Sequence, residues 1–304
     1  MRFETVIGLE VHAQLLTRTK LFCRCRSRFG DEPNTNVCPV CLGLPGSLPV
    51  VNQEAVRMSV LLGTALGCSF PGKSEFARKS YFYPDCPRNY QISMYGHPIC
   101  VDGSLFLETD DGERPIGIER IHLEDDAGKL IHDDRGYSLV DFNRCGVPLV
   151  EIVTKPELRS PEEAASFMRA LRQLLRYIGI CDGNLEAGSM RCDVNVSLRP
   201  EGSAGLGDRT EIKNLNSFKA VREGIAAEVE RQAGILEHGG KVEQLTFLWD
   251  AGTRTLTGMR TKEEAHDYRY FPEPDLQPLY SVRSAVADDA GLPELPRERR
   301  KRFE

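Results

Sequence analysis

The sequence predicts an α+β fold, in which an antiparallel or mixed sheet carries helices on one face and a polar working surface on the other. Several segments alternate apolar and polar residues, which is the period of a half-buried strand, and residues 5–14 and 190–198 do so most clearly. Two long segments, residues 160–178 and 217–238, carry apolar residues at helical spacing. A doubly wound parallel sheet would show continuous apolar strands alternating with helices, and these strand segments are not continuously apolar.

The composition is that of an ordinary globular protein. The 304 residues are 40% hydrophobic and 28% charged, and no apolar run is long enough to cross a membrane. The first residues lack the basic segment and apolar core of a signal peptide, so we expect a cytoplasmic protein. The net charge of −6 argues against a surface built wholly for nucleic acid, and the basic run at residues 297–302 is expected to be a solvated, frayed terminus.

The first predicted strand covers residues 5–14. Ile7 and Leu9 alternate with Glu10 and His12, so a carboxylate and an imidazole share the polar face of this strand.

A loop, a helix and a turn-rich region come next. Residues 21–49 are rich in proline, glycine and asparagine and have no period, which predicts a loop that needs outside help to keep its shape. Asn52 then caps a helix that runs through Leu66 and stops at Gly67. Residues 73–111 are turn-rich and aromatic.

Three further strands are predicted at residues 116–124, 137–143 and 149–153. On the first of them, alternation places four side chains on one face: Ile118, Arg120, His122 and Glu124.

The second half of the chain begins with a strong helix start. Ser160, followed by Pro161 and Glu163, combines a capping box with proline at the first helical position, and Gly179 ends this helix. Strands are predicted at residues 190–198 and 209–214, and the second long helix at residues 217–238.

Four cysteines in the loop form the strongest local motif. Cys23 and Cys25 form one close pair, twelve residues separate it from Cys38, and Cys41 completes a second pair. Two close pairs across a short loop can place four thiolates on one tetrahedral metal, for which zinc is the default, and a closed shell of this kind is structural. The alternatives are four unligated thiols and a redox site, although no thioredoxin-like context follows.

Polar side chains recur on the predicted strand faces. They are Glu10, His12, His122, Glu124, Asp193, Asn195, Glu211 and Lys213. Carboxylate and imidazole groups that converge on one sheet face suit a hard cation such as magnesium, and Lys79 and Arg191 add positive charge for phosphate. Taken singly, each residue fits a solvated sheet face, but recurrence on four segments favours a metal–nucleotide site. No phosphate-loop or dinucleotide-binding motif occurs, so ATP would be held by an open sheet.

Eight motifs resemble the GatB family, the B subunits of the aspartyl/glutamyl-tRNA amidotransferases, and together they cover nearly the whole chain in colinear order. They are IGLEVHAQL at 7–15, KSYFYPD at 79–85, YQIS at 90–93, HLEDDAGK at 122–129, DFNR at 141–144, GSMRCDVNVS at 188–197, EIKNLNS at 211–217 and DYRYFPEPDL at 267–276.

The resemblance implies a specific activity. Members of this family activate the side-chain carboxylate of Glu-tRNA(Gln) or Asp-tRNA(Asn) with ATP, and ammonia that the A subunit releases from glutamine displaces the phosphate. The C subunit joins the other two in a heterotrimer. The implied core is similar to glutamine synthetase and the guanidino kinases, with ATP and magnesium on one face of an antiparallel sheet. The sequence also shows no paired Ser-Lys amidase signature, which agrees with a B subunit that makes no ammonia itself.

The resemblance also implies roles for individual residues. Glu10, His12 and Glu124 are expected to hold magnesium. The catalytic set comprises Glu10, His12, Lys79, Glu124, Asp193, Glu211 and Lys213. Tyr81, Arg191, Asn195 and Asn214 are expected to bind ATP or substrate, and Cys23, Cys25, Cys38 and Cys41 to bind zinc.

Two departures from the family accompany this resemblance. We expect a catalytic domain at residues 1–290 that includes the zinc loop, and the start of a helical region at 291–304. We expect the family's remaining helical and tail domains, which grip tRNA, to be absent from this chain, which would make it C-terminally short. Where the family commonly has Gln-x-Thr-Arg-x-aromatic-Asp, this chain has QLTFLWD at 244–250, so Phe247 replaces an arginine.

Two other functions fit parts of the sequence. A stand-alone amide ligase of the glutamine synthetase type, acting on a small carboxylate, fits the polar strand faces but not the colinear motifs. A non-enzymatic zinc module that binds nucleic acid fits the cysteine loop but not the net charge or the carboxylate-rich faces.

Overall fold

The computed structural model describes residues 2–109, 112–133, 135–261, 268–285 and 292–303. The strands are β1 (Phe3–Gln14), β2 (Lys73–Ser74), β3 (Phe76–Ser80), β4 (Tyr90–Met94), β5 (Cys100–Thr109), β6 (Gly112–Asp125), β7 (Lys129–His132), β8 (Ser138–Asp141), β9 (Pro148–Thr154), β10 (Met190–Pro200), β11 (Thr210–Lys213), β12 (Leu245–Asp250), β13 (Thr255–Thr261), β14 (Phe271–Pro272) and β15 (Leu279–Tyr280). The helices are α1 (Gln53–Ala65), α2 (Pro161–Tyr177), α3 (Phe218–Glu237), α4 (Val282–Ala285) and α5 (Pro296–Phe303).

An eight-stranded sheet in the order β13-β12-β11-β10-β1-β9-β6-β5 forms the centre of the fold. All neighbouring strands are antiparallel except β11 and β12, which run parallel. The α+β class is confirmed, and the sheet is the mixed alternative, because the purely antiparallel one is wrong at this one pair. The reason is the connection, because α3 carries the chain from the end of β11 back to the start of β12, and a helical crossover of this kind joins parallel strands.

The helices cover one face of the sheet, as predicted. Apolar side chains of β1, such as Ile7 and Val11, share one buried cluster with Leu62 of α1, Leu171 of α2 and Ile225 of α3. The other face of the sheet carries the polar side chains and contains the candidate site.

The predicted helix boundaries are confirmed by their caps. The side chains of Asn52, Ser160 and Ser217 accept hydrogen bonds from the first-turn amides of α1, α2 and α3. Gly67 and Gly179 follow α1 and α2 with φ of +66° and +73°, a backbone conformation in which glycine avoids steric strain.

The turn-rich region predicted at residues 73–111 contains four strands. Strand β2 pairs with β15, β3 lies between β14 and β4, and β5 forms the edge of the large sheet. The two-residue β2 and the five-residue β3 and β4 are too short for alternation to stand out among turn residues. The strands predicted at 116–124, 137–143 and 149–153 are present as β6, β8 and β9.

A β-bulge corrects the predicted face of one residue on β6. Pairing between β6 and β9 shifts register between Ile118 and Arg120. Ile118 therefore lies in the apolar core, as does Ile121, whereas Arg120 and His122 line a cavity on the opposite face. An extra residue in one strand reverses the alternation beyond it, so simple period-two counting fails there.

The basic run near the end of the chain is not the frayed terminus that the sequence predicts. It forms α5, in which Arg297 lies 3.6 Å from the ring centre of Phe106 and forms an ion pair of 2.7 Å with Glu113. The predicted domain boundary at 290–291 and residue 267 of the last motif lie outside the described residues. Among the helices of the described residues, none is long and apolar enough to span a lipid bilayer.

Candidate active site

Strand register brings the candidate site together at the middle of the polar face. On β1, Glu10 lies opposite Asp193 of β10, and His12 lies between Arg191 of β10 and Glu151 of β9. Directly opposed residues of antiparallel strands place their side chains on the same face, about 4.5–5.5 Å apart at Cβ. Residues that are far apart in sequence therefore become neighbours.

His12 is the centre of a group of carboxylates. Its Nε2 atom lies 3.5 Å from Glu10 Oε1, 3.6 Å from Glu151 Oε2 and 3.8 Å from Glu124 Oε1. Glu10, His12 and Glu151 each offer one ligand atom, all within 4.8 Å of one another, so these three residues could hold a metal ion. Glu124 lies beside them and accepts hydrogen bonds from Gln91 (3.0 Å) and Ser93 (2.6 Å).

Glu151 is the site residue that the sequence prediction missed. It lies within the strand predicted at 149–153, whose other residues are apolar, and a lone carboxylate in such a strand was the available signal. Glu151 faces His12 on one side and His122 on the other, and His122 Nδ1 lies 3.6 Å from its Oε1 atom. His122 Nε2 is buried and has no hydrogen-bond partner among the described residues, although the side chain lines a cavity.

The protonation equilibria of this group reflect its excess negative charge. Burial raises the pKa of Glu10 to about 7, and the nearby Glu151 carboxylate adds to the effect. Burial alone would lower the pKa of His12, but its hydrogen bond to Glu151 and the charge of Glu10 raise it to about 9. Burial also opposes ionisation of Glu151, yet both histidines hold its pKa well below the ordinary value. A divalent cation could take the place of the proton that His12 carries.

Positive side chains surround the carboxylates. Lys213 Nζ lies 2.5 Å from Asp193 Oδ2 and 3.7 Å from Glu211 Oε1, and these carboxylates keep its pKa above the ordinary value although burial opposes this. Lys79 Nζ lies 4.7 Å from the ring centre of Tyr268. Burial lowers the pKa of Lys79, but Tyr270 and nearby carboxylates outweigh this, so the ammonium stays charged.

Two cavities of about 580 and 390 Å³ meet at this group. Glu10, Lys79 and Lys213 line both cavities. The larger cavity is also lined by the predicted residues Asn195 and Glu211 and by the residues Glu151 and His122. The smaller cavity is also lined by the predicted residues His12, Tyr81, Glu124, Arg191 and Asp193. The structure therefore brings together ten of the eleven residues predicted for this face.

The remaining predicted residue, Asn214, lines neither cavity. It follows β11 with a φ of +65°, and its side-chain amide donates a hydrogen bond of 3.0 Å to the carbonyl of Trp249. Its observed contact stabilises the turn after β11.

The four loop cysteines converge as predicted. One sulfur atom each from Cys23, Cys25, Cys38 and Cys41 lies within 4.8 Å of the others. Zinc–thiolate bonds of about 2.3 Å in a tetrahedron require sulfur separations of about 3.8 Å, so this cluster fits such an ion with small adjustments. The hydrogen bond from Cys23 lowers the pKa of Cys41 to about 5, and the amide of Cys38 also donates to Cys41 Sγ at 3.2 Å.

The comparison with known families agrees with this geometry. A family model described as the GatB/GatE catalytic domain matches residues 5–287. The chain belongs to the GatB/GatE catalytic domain family.

Curated relatives of this GatB/GatE domain are named as the B subunit of aspartyl/glutamyl-tRNA(Asn/Gln) amidotransferase. The protein from Thermodesulfovibrio yellowstonii is 57% identical over 304 residues, which cover 100% of this chain and 64% of that relative. The protein from Myxococcus xanthus is 55% identical over 303 residues, covering 99% and 63%, and that from Moorella thermoacetica is 54% identical over 308 residues, covering 100% and 64%. The chain thus spans less than two thirds of their length, and the resemblance found in its motifs is confirmed.

Position 247 of this GatB/GatE domain lies away from the cavities. Strand β12 pairs with β11 so that Thr246 lies opposite Glu211, and Phe247 lies opposite the buried Ile212. Thr246 lines the larger cavity, whereas Phe247 faces α3, where the Arg231 guanidinium lies 4.6 Å from its ring centre. Phe247, which stands where the resemblance leads one to expect an arginine, therefore lines neither cavity.

Proposed function

We propose that this chain uses ATP to phosphorylate the side-chain carboxylate of Glu-tRNA(Gln) or Asp-tRNA(Asn). Ammonia delivered from the A subunit then displaces phosphate and forms Gln-tRNA(Gln) or Asn-tRNA(Asn). Membership of the GatB/GatE family and the names of the relatives support this proposal. The observation that carries it is the carboxylate–histidine group between two lysines, where two cavities meet.

The chemistry explains the need for such a site. A carboxylate is a poor acyl donor because its oxygen is a poor leaving group. Phosphorylation makes that oxygen part of a phosphate, which is a good leaving group. Transfer of a phosphoryl group requires in-line positioning and positive charge, and little covalent chemistry from the protein. Lys79, Lys213 and Arg191 can supply the fixed charge. No protein nucleophile is needed, because ammonia attacks the acyl phosphate.

A divalent cation is expected at the carboxylates. Glu10, His12 and Glu151 offer the donor set, with Glu124 beside them, and Mg²⁺ bound there would neutralise phosphate charge. Oxygen-rich ligands suit this hard cation, and burial together with the nearby Glu151 raises the pKa of Glu10 to about 7, which a bound cation would counteract. We assign zinc at the four cysteines a structural role.

The proposed partners follow from the same reaction. The A subunit would supply ammonia, the C subunit would join it to this chain in a heterotrimer, and the charged tRNA would bring the carboxylate. We place this reaction in the cytoplasm. The glutamine synthetase-like core that the resemblance implies stays a prediction.

The test is an ammonium-driven amidation assay. This chain, together with the A and C subunits, is mixed with Glu-tRNA(Gln), ATP, Mg²⁺ and ammonium chloride, and phosphate release and Gln-tRNA(Gln) are measured. Both should depend on the charged tRNA. Glu151→Gln keeps the shape of the side chain but removes a negative charge, and should slow phosphate release by about 10²- to 10³-fold, the usual cost of losing one charge-stabilising group. Glu186→Gln, an exposed carboxylate change, is the matched control.

Three outcomes of this assay would contradict the proposed function or the assigned site. Phosphate release that responds to free glutamate or aspartate, and not to charged tRNA, would overturn the proposal in favour of a small-carboxylate ligase. Salt-sensitive RNA binding without any ATP turnover would favour a binding module. Equal rates for Glu151→Gln and Glu186→Gln would refute the assigned site.

A further inference from the structure

Lys20 is a fully buried lysine beside the cysteine cluster. Its side chain is 0% exposed, and it ranks among the largest fully buried side chains of the described residues. Its ammonium donates to the carbonyl oxygen of Phe142 at 3.1 Å and to Cys41 Sγ at 3.7 Å. An ammonium removed from water is unfavourable unless it is paired and hydrogen-bonded, so its partners must compensate for the lost hydration.

The surroundings offer little to balance this charge. No carboxylate oxygen of the described residues lies within 4.0 Å of the Lys20 ammonium. The Phe142 carbonyl is a neutral acceptor. The ammonium's other partner, Cys41 Sγ, belongs to the four-cysteine cluster, which would carry negative charge with a divalent cation bound there.

The cysteine cluster, in contrast, would carry excess negative charge with a divalent cation bound. Four thiolates around one divalent cation carry a net charge of −2, and Cys41 is itself buried. A hydrogen bond from a cation to one thiolate lowers that net charge and fixes the orientation of the ligand, as groups behind metal ligands generally do. The amide of Cys38 already donates to the same sulfur at 3.2 Å, so Cys41 receives both a neutral and a charged donor.

We propose that Lys20 is a positioning residue of the four-cysteine metal site, orienting Cys41 Sγ and offsetting the charge of the bound tetrathiolate. The proposal rests on the cysteine geometry and on zinc as the occupant. It does not depend on the amidation reaction, because metal affinity is measured without ATP or tRNA. The competing role is purely structural, in which Lys20 only ties the cysteine loop to the Phe142 carbonyl.

Two substitutions separate these roles. Lys20→Gln keeps an amide donor for the Phe142 carbonyl but loses the charge, whereas Lys20→Arg keeps both the charge and the donors. Zinc affinity of the full chain is measured by competition with a chromogenic chelator. We expect Lys20→Gln to bind zinc about 10- to 100-fold more weakly, the usual effect of losing a group behind a metal ligand, and Lys20→Arg to restore most of the affinity. Lys241→Gln, whose side chain is 85% exposed, is the matched control.

Thermal unfolding with and without zinc gives a second, independent readout. The metal-free protein has no bound tetrathiolate to balance Lys20, so Lys20→Gln removes a poorly compensated buried charge and its Tm should equal or exceed that of the wild type. In the zinc-loaded protein the same variant should have the lower Tm. A zinc affinity equal to that of Lys241→Gln would overturn the proposal. If Lys20→Gln lowered the Tm equally with and without zinc, the proposal would also be overturned, and the purely structural role would be favoured.

Discussion

Glu228 on α3 is a fully buried carboxylate whose removal should be costly. It accepts hydrogen bonds from Thr210 on β11 (2.6 Å), from Gln232 (2.8 Å) and from two nitrogens of Arg231 (2.8 Å each). This network fastens the helix behind the strand that carries Glu211 and Lys213. The substitution Glu228→Ala removes all four contacts, after which Thr210 and Gln232 still share the Val196 carbonyl as an acceptor, at 3.5 and 3.1 Å.

The loss in free energy of unfolding depends on which contacts of Glu228 are buried. Thr210 and Gln232 are both 0% exposed, and a hydrogen bond to a charged group contributes about 1.5–3 kcal/mol. The Arg231 side chain is 31% exposed and can be rehydrated, so its pair with Glu228 adds little. Two buried bonds lost give about 3–6 kcal/mol.

Urea-induced unfolding measures this cost directly. Trp249 is the single tryptophan and is 2% exposed, so its fluorescence reports loss of the core. Glu230→Ala, an exposed change two residues away on the same helix, matches the change in helix propensity and should cost within about 0.5 kcal/mol. The reasoning fails if Glu228→Ala lowers the free energy of unfolding no more than Glu230→Ala does.

Two further predictions concern acid stability and packing. Burial alone would raise the pKa of Asp126, but the charges of Arg191 and its neighbours hold it below the ordinary value of 3.8. A carboxyl whose pKa is lowered by folding adds stability above its unfolded-state pKa, and this stability is lost as the pH falls through the folded-state pKa. The difference in free energy of unfolding between wild type and Asp126→Asn should therefore stay constant near neutrality and shrink below about pH 4. Urea titrations at a series of pH values measure this difference. Gly103→Ala places a Cβ 2.3 Å from Cys68 Sγ and should destabilise by about 1–3 kcal/mol in thermal melts, whereas Gly96→Ala, with no atom within 4 Å, should not.

The candidate site was predictable to the extent that its residues carry a local signal. Glu10 and His12 stand out because they alternate with apolar residues on one strand. Glu151 has no second polar residue near it on β9, since the residues around it are apolar. Only the pairing of β9 with β1 places it against His12. The buried Glu228 was also missed, because a helix pattern assigns charged residues to the solvent side and cannot show which of them has buried partners.

The sequence by itself determined the secondary structure that local chemistry controls. Alternation set the polar face of β1 and β10, cap residues set the start of the three long helices, and the spacing of four cysteines predicted the cluster that they form. Each of these depends on residues close together along the chain. Colinear motifs added the family, which the match over residues 5–287 confirms.

The tertiary structure decided which distant residues meet. The parallel pairing of β11 with β12, the bulge at Ile118 and the contact of Glu151 with His12 all depend on strand register across the sheet. Register is chosen when the whole apolar face packs against the helices, since a shift of one residue would expose the core of a strand and bury its polar face. No local pattern contains that information, so the arrangement of the site became visible only with the complete fold.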